Sequence, residues 1–411
     1  MKKLTKKFFY SLDIGSKKMT LAAAGIQRNG EFGHIFIETG RSEGIFKGVV
    51  NDLAALSDAM QQLFKKMEAK CNEKATQVAL SINGHYINAR HSSAAIALAE
   101  RGTRSITRRD IEKLGLQART LGLELNEYLL HEYPQRYAID RQNTTLVPLG
   151  LHGRKFEMDL LLICADMGYL QNITKAVEQI GLDVVQLVFS GIAASEAVLS
   201  EAEKEKGVVL VDIGDSLTNV LIFKDGVPRC VHGFSFGGRN LTEIISNYFK
   251  IPYDLADGIK ESSMEIDSEL PETEEVMIKT EEIYRPIKKK ELLSITGPEI
   301  DKFIATLRSV IFNCGLDGVT GMSVVATGGL SSLEGLLEKM ERDLGLSVKL
   351  GLTKNLQDAS ASQGPAMAAA IGLLCRQRDQ YRKNDLLLTA SGKNKVSRVV
   401  DYLVNLYQDY F

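Results

Sequence analysis

The sequence lacks several features that mark particular classes of protein. It has five cysteines, an odd number, and none stands in a C-x-x-C pair or at metal-ligand spacing. They are Cys71, Cys164, Cys230, Cys314 and Cys375. We therefore expect reduced thiols, mostly small buried side chains, in a cytoplasmic protein. The formal net charge is only −2, whereas a nucleic-acid partner would call for a strongly basic face.

Long apolar runs are also missing. No uninterrupted apolar segment is long enough to span a bilayer. The basic residues 1–7 lead into a short apolar stretch that runs straight into Asp13, so we do not expect a signal peptide. With 411 residues, 44% of them hydrophobic and 25% charged, the chain is typical of a soluble or peripheral protein of two or more lobes.

An internal repeat is the strongest sign of organisation. Near the start, an apolar segment runs into Asp13-Ile14-Gly15-Ser16, and a second apolar segment follows. At mid-chain, an apolar segment runs into Asp212-Ile213-Gly214-Asp215-Ser216, again followed by an apolar segment. Each copy predicts a buried strand that ends in Asp, a tight glycine turn and a second strand. Two copies predict a duplicated α/β fold whose halves face each other.

The remaining segments predict further elements and boundaries. Residues 52–70 predict an amphipathic helix, Thr107 caps another helix, and residues 324–327 form a strand that ends in Gly328-Gly329. The charge-rich residues 264–290 are expected to be an exposed excursion. The predicted domains are the first lobe (1–75 and 166–206), an inserted small subdomain (76–165), the second lobe (207–375), a polar linker (376–395) and a terminal helix (396–411).

A strand-end carboxylate before a glycine turn suits a nucleotide triphosphate. Backbone N–H groups of the turn can surround phosphate oxygens, because glycine allows the backbone to approach closely. The carboxylate can hold Mg²⁺, usually through water. One such turn is weak support, since many strands end in this way. Two in the same context, with Gly328-Gly329 downstream, favour a nucleotide clamped between two lobes.

In these motifs the sequence resembles the actin, Hsp70 and sugar-kinase ATPases and, among them, the FtsA family of bacterial cell-division actin homologues. Asp13-Ile14-Gly15-Ser16 matches the first phosphate motif, residues 207–214 match the second, and Gly328-Gly329 matches the adenosine motif. Longer stretches at 132–140, 176–182 and 199–207 are FtsA-like. The resemblance covers essentially the whole chain, in order.

The resemblance implies a two-lobed actin-like (ribonuclease H-like) α/β fold in which an unrelated small subdomain replaces the second subdomain of actin. It also implies ATP in the cleft, with Mg²⁺ held by Asp13 and Asp212 through water. The implied nucleotide contacts are Asp13, Gly15, Ser16, Lys17, Lys18, Asp212, Gly214, Asp215, Ser216, Gly237, Gly238, Asn240, Lys260, Gly328 and Gly329. Without the resemblance, Gly237-Gly238 would be read as a turn and Lys260 as a surface lysine.

The second phosphate loop departs from the family pattern. It reads Asp215-Ser216-Leu217-Thr218-Asn219, where the family usually has more glycine and then Thr-Asp. A carboxylate at Asp215 would repel a γ-phosphate unless Mg²⁺ intervenes or the side chain points away. Residues 189–194 also lack the Glu that orients the attacking water in several relatives. The catalytic residues are therefore unknown, and we expect weak or negligible ATPase activity.

The last 16 residues predict an amphipathic helix. Its apolar face consists of Val396, Val399, Val400, Leu403, Leu406, Tyr407, Tyr410 and Phe411. Lys393, Lys395 and Arg398 stand near its start, where they can meet anionic headgroups. The helix either lies in a membrane interface or docks on the core of the protein itself. The polar segment in front of it and the resemblance favour the membrane.

The resemblance implies an ATP-binding scaffold that self-associates on the cytoplasmic face of the bacterial inner membrane at the division site. Its implied partners are membrane lipid, the tubulin-like polymer FtsZ, later division proteins and other copies of itself, but no nucleic acid. A sugar or acetate kinase is an alternative on the same fold, although we find no convincing catalytic carboxylate or substrate pocket. The pilus-assembly homologue PilM is another, and the full-length FtsA pattern argues against it.

Overall fold

The first lobe begins with an antiparallel meander. The computed structural model describes residues 8–27, 30–141, 143–266, 274–280, 283–316, 318–353 and 364–390. The meander consists of β1 (Phe8–Ile14), β2 (Lys18–Ile26) and β3 (Phe32–Arg41). A short hairpin of β4 (Ile45–Phe46) and β5 (Val49–Val50) follows, then α1 (Leu53–Cys71) and β6 (Gln77–Ile82). Strand β6 pairs in parallel with β1.

Helix α1 forms where the sequence predicts it. The Asp52 carboxylate caps the helix by accepting a hydrogen bond of 3.0 Å from the Ala55 N–H. Leu56, Met60 and Leu63 recur at helical spacing and are buried against the sheet. The helix ends at Asn72, which adopts the left-handed conformation.

The inserted subdomain has its own sheet and core. It contains β7 (Ile87–Ala97), β8 (Arg104–Ser105), α2 (Arg108–Gly122), β9 (Glu127–Ile139), β10 (Asn143–Thr145), β11 (His152–Gly153) and β12 (Lys155–Asp166). The order of its four-stranded sheet is β10-β9-β12-β7, and α2 covers one face. Thr107 and Asp110 form a capping box at the start of α2, which confirms the predicted cap.

The predicted start of this subdomain at residue 76 is too early. Strand β6 lies in the sheet of the first lobe, so the insertion begins after Ile82. Residues Val78 to Ile82 are buried on both faces of that strand. A strand with two buried faces has the same apolar pattern in either sheet, so the sequence does not indicate which sheet it joins.

The chain then returns to the first lobe through α3 (Met167–Gln179), β13 (Asp183–Phe189), α4 (Ser190–Val198) and α5 (Glu201–Lys206). The second lobe contains β14 (Val208–Ile213), β15 (Thr218–Lys224), β16 (Val227–Phe234), α6 (Gly238–Phe249), α7 (Tyr253–Ser263), β17 (Glu275–Thr280), β18 (Ile283–Lys288), α8 (Lys289–Phe312), β19 (Ser323–Thr327), α9 (Leu336–Leu344) and β20 (Val348–Leu350). The described part of 264–290 is mainly the β17–β18 hairpin.

The two central sheets confirm the internal repeat. The first has the order β13-β6-β1-β2-β3 and the second has the order β20-β19-β14-β15-β16. In each, the strand with Asp as its penultimate residue pairs antiparallel with its successor and parallel with a later strand. Asp13 lies opposite Thr20, and Asp212 lies opposite Asn219.

Helix α10 (Ala368–Ala390) occupies most of the segment 376–395 that was predicted to be a polar linker. The segment is helical there because its polar side chains contact the first lobe. Gln377 donates a hydrogen bond of 3.2 Å to the Tyr10 carbonyl, and Arg378 and Arg382 pair with Glu31. Residues 391–411, with the rest of the predicted linker and the whole predicted terminal helix, lie outside the described residues. No helix within the described ranges is long and apolar enough to cross a membrane.

Candidate functional site

A cavity of about 510 Å³ lies between the two lobes, where the carboxyl ends of β1 and β14 meet. Its walls are the turns after these strands, the start of α6, the end of α7, the loop after β19 and the start of α10. All the predicted nucleotide contacts line it except Gly237 and Asn240. The Asn240 side chain instead accepts a hydrogen bond of 3.1 Å from the Gly237 N–H and caps α6.

Both phosphate turns are closed by backbone hydrogen bonds. The Gly15 N–H donates to the Lys18 carbonyl at 3.1 Å, and the Gly214 N–H donates to the Leu217 carbonyl at 2.9 Å. A Cβ atom on Gly15 would lie 2.8 Å from the Lys18 carbonyl oxygen, which explains why the turn requires glycine. These matching turns place backbone groups on opposite sides of the cavity.

Two carboxylates from opposite lobes face each other at the cavity. The Asp13 carboxylate accepts a hydrogen bond of 2.5 Å from Ser81, and the Asp212 carboxylate accepts one of 3.5 Å from Asn219. Burial raises the pKa of Asp13, and the Ser81 hydrogen bond and the charge of Lys18 offset part of this rise. Burial and the negative charge of Asp13 raise the pKa of Asp212 to about 6. A cation between the two carboxylates would relieve this repulsion.

The carboxylate pair fits Mg²⁺ held through water. The described residues contain no group of three or more His, Cys, Asp or Glu side chains that could hold a metal ion directly. Mg²⁺ commonly keeps several waters and uses one or two carboxylates together with substrate phosphates. Asp13 and Asp212 supply those two carboxylates, and the cavity has room for the phosphates.

The Asp215 side chain is neutralised inside the second lobe. Its Oδ2 atom lies 3.2 Å from Arg239 Nε and accepts a hydrogen bond of 2.9 Å from Ser216. The side chain is only 9% exposed. Its backbone carbonyl accepts a hydrogen bond of 2.7 Å from the Arg239 N–H. A phosphate in the cavity would therefore face a carboxylate whose Oδ2 atom is paired with Arg239, while its buried Oδ1 atom has no hydrogen-bond partner among the described residues.

Two of the three predicted lysine contacts, Lys17 and Lys260, make bonds within the protein. Lys17 Nζ lies 2.5 Å from Asp257 Oδ2 and also pairs with Glu261, across the cleft. Lys260 Nζ donates to Asp257 at 2.6 Å and to Thr242 at 2.8 Å, so it ties α7 to α6. Burial alone would raise the pKa of Asp257, but hydrogen bonds from the two lysines outweigh it and lower that pKa to about 2.

Several cavity residues were not predicted from the sequence. They include Gly48, Asn83, Ser190, Glu261, Glu265, Lys289, Ser332, Glu334 and Pro365. Asn83 and Ser190 directly follow β6 and β13, which run parallel to β1. Residues at the carboxyl ends of parallel strands gather at one edge of a sheet, so their positions were a usable signal. The others stand outside any repeated motif.

Two family models match the chain. The model described as "Cell division protein FtsA" matches residues 209–372, and the model described as "SHS2 domain inserted in FTSA" matches residues 84–164. The second match coincides with the inserted subdomain that the structure shows, and the first covers most of the second lobe. The two matches therefore agree with the observed division of the chain.

Curated proteins are similar to the chain over nearly its full length. The chain is 28% identical over 389 residues to the cell division protein FtsA of Buchnera aphidicola subsp. Baizongia pistaciae, covering 91% of this chain and 92% of that protein. It is 28% identical over 423 residues to the FtsA of Escherichia coli K12, covering 98% and 99% of the two chains.

Solved structures share the fold. A chain of a PilM-PilN type IV pilus biogenesis complex superposes with a TM-score of 0.63 at 16% identity, covering 90% of this chain and 98% of that one. MreB5 of Spiroplasma citri bound to AMPPNP superposes with a TM-score of 0.55 at 12% identity, covering 92% and 98%. At these identities the likeness concerns the actin-like fold, and it does not distinguish among the functions that the fold supports.

Proposed function

The chain belongs to the FtsA family of cell-division proteins and has the actin-like fold, and from this premise we propose that it binds ATP with Mg²⁺ between its lobes. The observation that carries the proposal is the facing pair Asp13 and Asp212, each at the end of the equivalent strand of a duplicated sheet. Each is followed by a glycine turn on the cavity wall. The MreB structure with AMPPNP shows a nucleotide analogue on this fold in another protein.

The described residues suit distinct parts of the nucleotide. The turns at Gly15 and Gly214 would surround phosphate oxygens with backbone groups, and Asp13 and Asp212 would hold the hydrated Mg²⁺. Gly328 has a φ of 87°, and a Cβ atom there would lie 2.4 Å from the Ile213 carbonyl oxygen. Glycine at this position thus permits the close approach of the β19 loop to β14 beside the proposed adenosine site.

We propose that turnover is slow or negligible. Hydrolysis needs a group that orients the attacking water. Among the described acids of the cavity outside the Asp13 and Asp212 pair, Asp215 is paired with Arg239, Glu261 with Lys17 and Glu265 with Lys289. Glu334 also lines the cavity, but it stands in the segment after Gly328-Gly329, on the side proposed for the adenosine. Residues 189–194, at the start of α4, contribute Ser190 to the cavity and no carboxylate. The nucleotide would act mainly as a ligand that selects a conformation, rather than as a substrate.

The remaining parts of the proposal concern assembly. We propose that the chain self-associates on the cytoplasmic face of the inner membrane, tethers FtsZ and recruits later division proteins. Family membership supports these roles, and the apolar face of residues 396–411 supports membrane attachment. The enzymatic alternative is a sugar or acetate kinase. Transfer of phosphate from ATP to a sugar or to acetate by the purified protein would favour that alternative.

Calorimetric titration with ATP and Mg²⁺ tests the nucleotide site. We expect the wild type to bind and Asp212→Ala to lose at least about tenfold in affinity, because one carboxylate of the cation pair is removed. Glu243→Ala, an exposed substitution in the same lobe, is the control and should bind like the wild type. Absence of binding by the folded wild type would contradict the proposal and leave a nucleotide-free scaffold.

A further inference from the structure

Lys17 joins the first phosphate turn to the second lobe. Its amine contacts Asp257 and Glu261, which lie one helical turn apart on α7. The Lys17 side chain is 38% exposed, but the Asp257 side chain is only 12% exposed and is held by Thr242 and Lys260 as well. The Asp257 end of this bridge is therefore held in position independently of Lys17.

A second bridge crosses the cleft through Arg239. Its guanidinium carbon lies 5.0 Å from the ring centroid of Phe46 in the first lobe and 5.2 Å from that of Tyr253 in the second. The cation thus contacts one aromatic ring from each lobe. Arg239 Nε also pairs with Asp215, as described above. The arginine therefore links the second phosphate turn to the β4–β5 hairpin of the first lobe.

That hairpin in turn contacts the first phosphate turn. The Lys47 N–H donates a hydrogen bond of 3.2 Å to the Ser16 hydroxyl. Gly48, which lines the cavity, has a φ of 78°, and a Cβ atom there would lie 1.9 Å from the Asn83 carbonyl oxygen. The hairpin is consequently packed tightly against the cavity wall. A continuous set of contacts runs from Ser16 through Phe46 and Arg239 to Asp215, joining both phosphate turns.

We propose that these two bridges form a clasp, defined as Lys17–Asp257/Glu261 and Phe46–Arg239–Asp215, which must open before a nucleotide leaves the cleft. This inference rests on the proposed function. It gives Asp215 a role at a position where the resemblance indicates glycine, because its carboxylate holds the arginine of the clasp. It also makes Lys17 a positioning residue that holds the lobes together, instead of a phosphate ligand. Arg41 and Asp254, 3.6 Å apart, are both more than 70% exposed and are left out.

The test measures how fast a fluorescent ATP analogue leaves the full-length protein after an excess of ATP is added. We expect Lys17→Gln and Glu261→Gln each to accelerate release by about threefold or more, the range of a partly exposed ion pair. The double variant should release no faster than Lys17→Gln alone, because both changes break one bridge. Lys70→Gln, whose lysine pairs with Glu38 within the first lobe, is the matched control.

Glu261→Gln separates the clasp from direct phosphate binding by Lys17. If Lys17 instead holds a phosphate, removing its acidic partner would leave release unchanged or slow it, and the clasp would be refuted. Phe46→Leu tests the second bridge by removing the aromatic face while keeping an apolar side chain. It should also accelerate release, and rising salt should accelerate the wild type more than Lys17→Gln.

Hydrogen exchange provides a readout that needs no nucleotide. In the clasp variants, amide exchange should rise in residues 14–18, 45–48 and 253–261 and remain unchanged in α2 of the inserted subdomain, none of whose residues lines the cavity. A wild type that binds no ATP would refute the proposed function, and this exchange pattern would still decide the clasp. Variants that bind ATP normally and show wild-type exchange and release would refute the clasp alone.

Discussion

Asp13 and Asp212 illustrate how a destabilising arrangement of single residues can indicate a ligand. Two carboxylates at the cavity repel each other, and only Ser81, Asn219 and the charge of Lys18 moderate the cost among the described residues. A buried like-charge pair lowers stability unless a cation or a proton neutralises it. Functional sites commonly keep such strained electrostatics, because the ligand supplies the missing charge.

Asp212→Asn should change how stability depends on pH. The fold raises the pKa of Asp212 from 3.8 to about 6, so it favours the protonated carboxyl. This stabilising contribution is complete below the unfolded value and is lost as the pH rises through about 6. Between pH 4.5 and 7.5 we therefore expect the free energy of unfolding of the wild type to fall by about 1–2 kcal/mol relative to Asp212→Asn. This is less than the full pKa shift implies, because water in the open cleft solvates part of the charge.

Denaturant titrations of both proteins across this pH range, without added nucleotide or magnesium, provide the measurement. Asp58→Asn, an exposed change on α1, is the control and should track the wild type. A constant difference between the wild type and Asp212→Asn at all pH values would contradict the assigned charge repulsion.

At the residue scale, the sequence predicted where the site residues lie better than what they contact. The strand-Asp-Gly pattern located both carboxylates, because strand ends follow directly from hydrophobic patterning. The partners of Lys17, Asp215 and Lys260 come from α6 and α7, and those of Lys17 lie about 240 positions further along the chain. Side-chain pairing over such separations depends on the assembled lobes, and no local pattern encodes it.

At the scale of elements, helix α10 shows how closely two helices are packed against each other. It lies against α4 with little intervening side chain, and a Cβ atom on Gly372 would lie only 1.7 Å from the Ala193 carbonyl oxygen. Ala368, Ala369 and Ala370, one turn before this point, are also small and buried. Small residues allow the helix backbones to approach more closely than larger side chains would.

Gly372→Ala should therefore destabilise the protein, even though alanine is the better helix former. The added methyl group has no space, so α10 must shift away from α4, at a cost of about 1–3 kcal/mol. Gly258→Ala, at an open position inside α7, is the matched control and should be neutral or stabilising. Thermal unfolding of the two variants decides the matter, and equal melting temperatures would contradict the close packing.

The element boundaries that were wrong have a common cause. Polar composition predicted a linker after residue 375, yet the same polar residues bind the first lobe and continue the helix. The apolar strand β6 was assigned to the insertion, although it belongs to the first sheet. In both cases the polarity of a segment did not indicate which neighbouring element it contacts, because that element is determined only by the tertiary fold.

At the scale of the whole molecule, the two lobes are built on equivalent sheets, and the inserted subdomain contacts both lobes. The repeat could be predicted from sequence because both copies kept the same strand-turn-strand pattern. The contact between the insertion and the second lobe could not be predicted from sequence. In this contact, Gln135 donates to the Pro228 carbonyl at 3.0 Å, and Arg229 donates to the Gln135 carbonyl at 2.6 Å. The small subdomain is thus attached to β16 as well as to its own lobe.

Membrane attachment is tested on the complete chain. We expect the full-length protein to sediment with vesicles that contain anionic lipid, and a chain that ends at residue 390 to stay in solution. Leu403→Glu should weaken binding by about tenfold or more, since it places a charge on the predicted apolar face. The control Asn405→Glu adds the same charge to the polar face and should bind more tightly than Leu403→Glu. Sedimentation of the truncated chain would disprove the anchor.

The position of α10 has a mechanical consequence. Pro365, Ala366 and Ala369, at its start, form part of the cavity wall, and the helix continues to Ala390. An α-helix rises about 1.5 Å per residue, so its far end lies roughly 33 Å away. A tilt of about 10° at the cavity would move that end by about 6 Å, if the helix stays straight. Because Gln377, Arg378 and Arg382 hold the helix on the first lobe, the helix would turn together with that lobe, and a small rotation at the cleft would become a larger displacement at its far end.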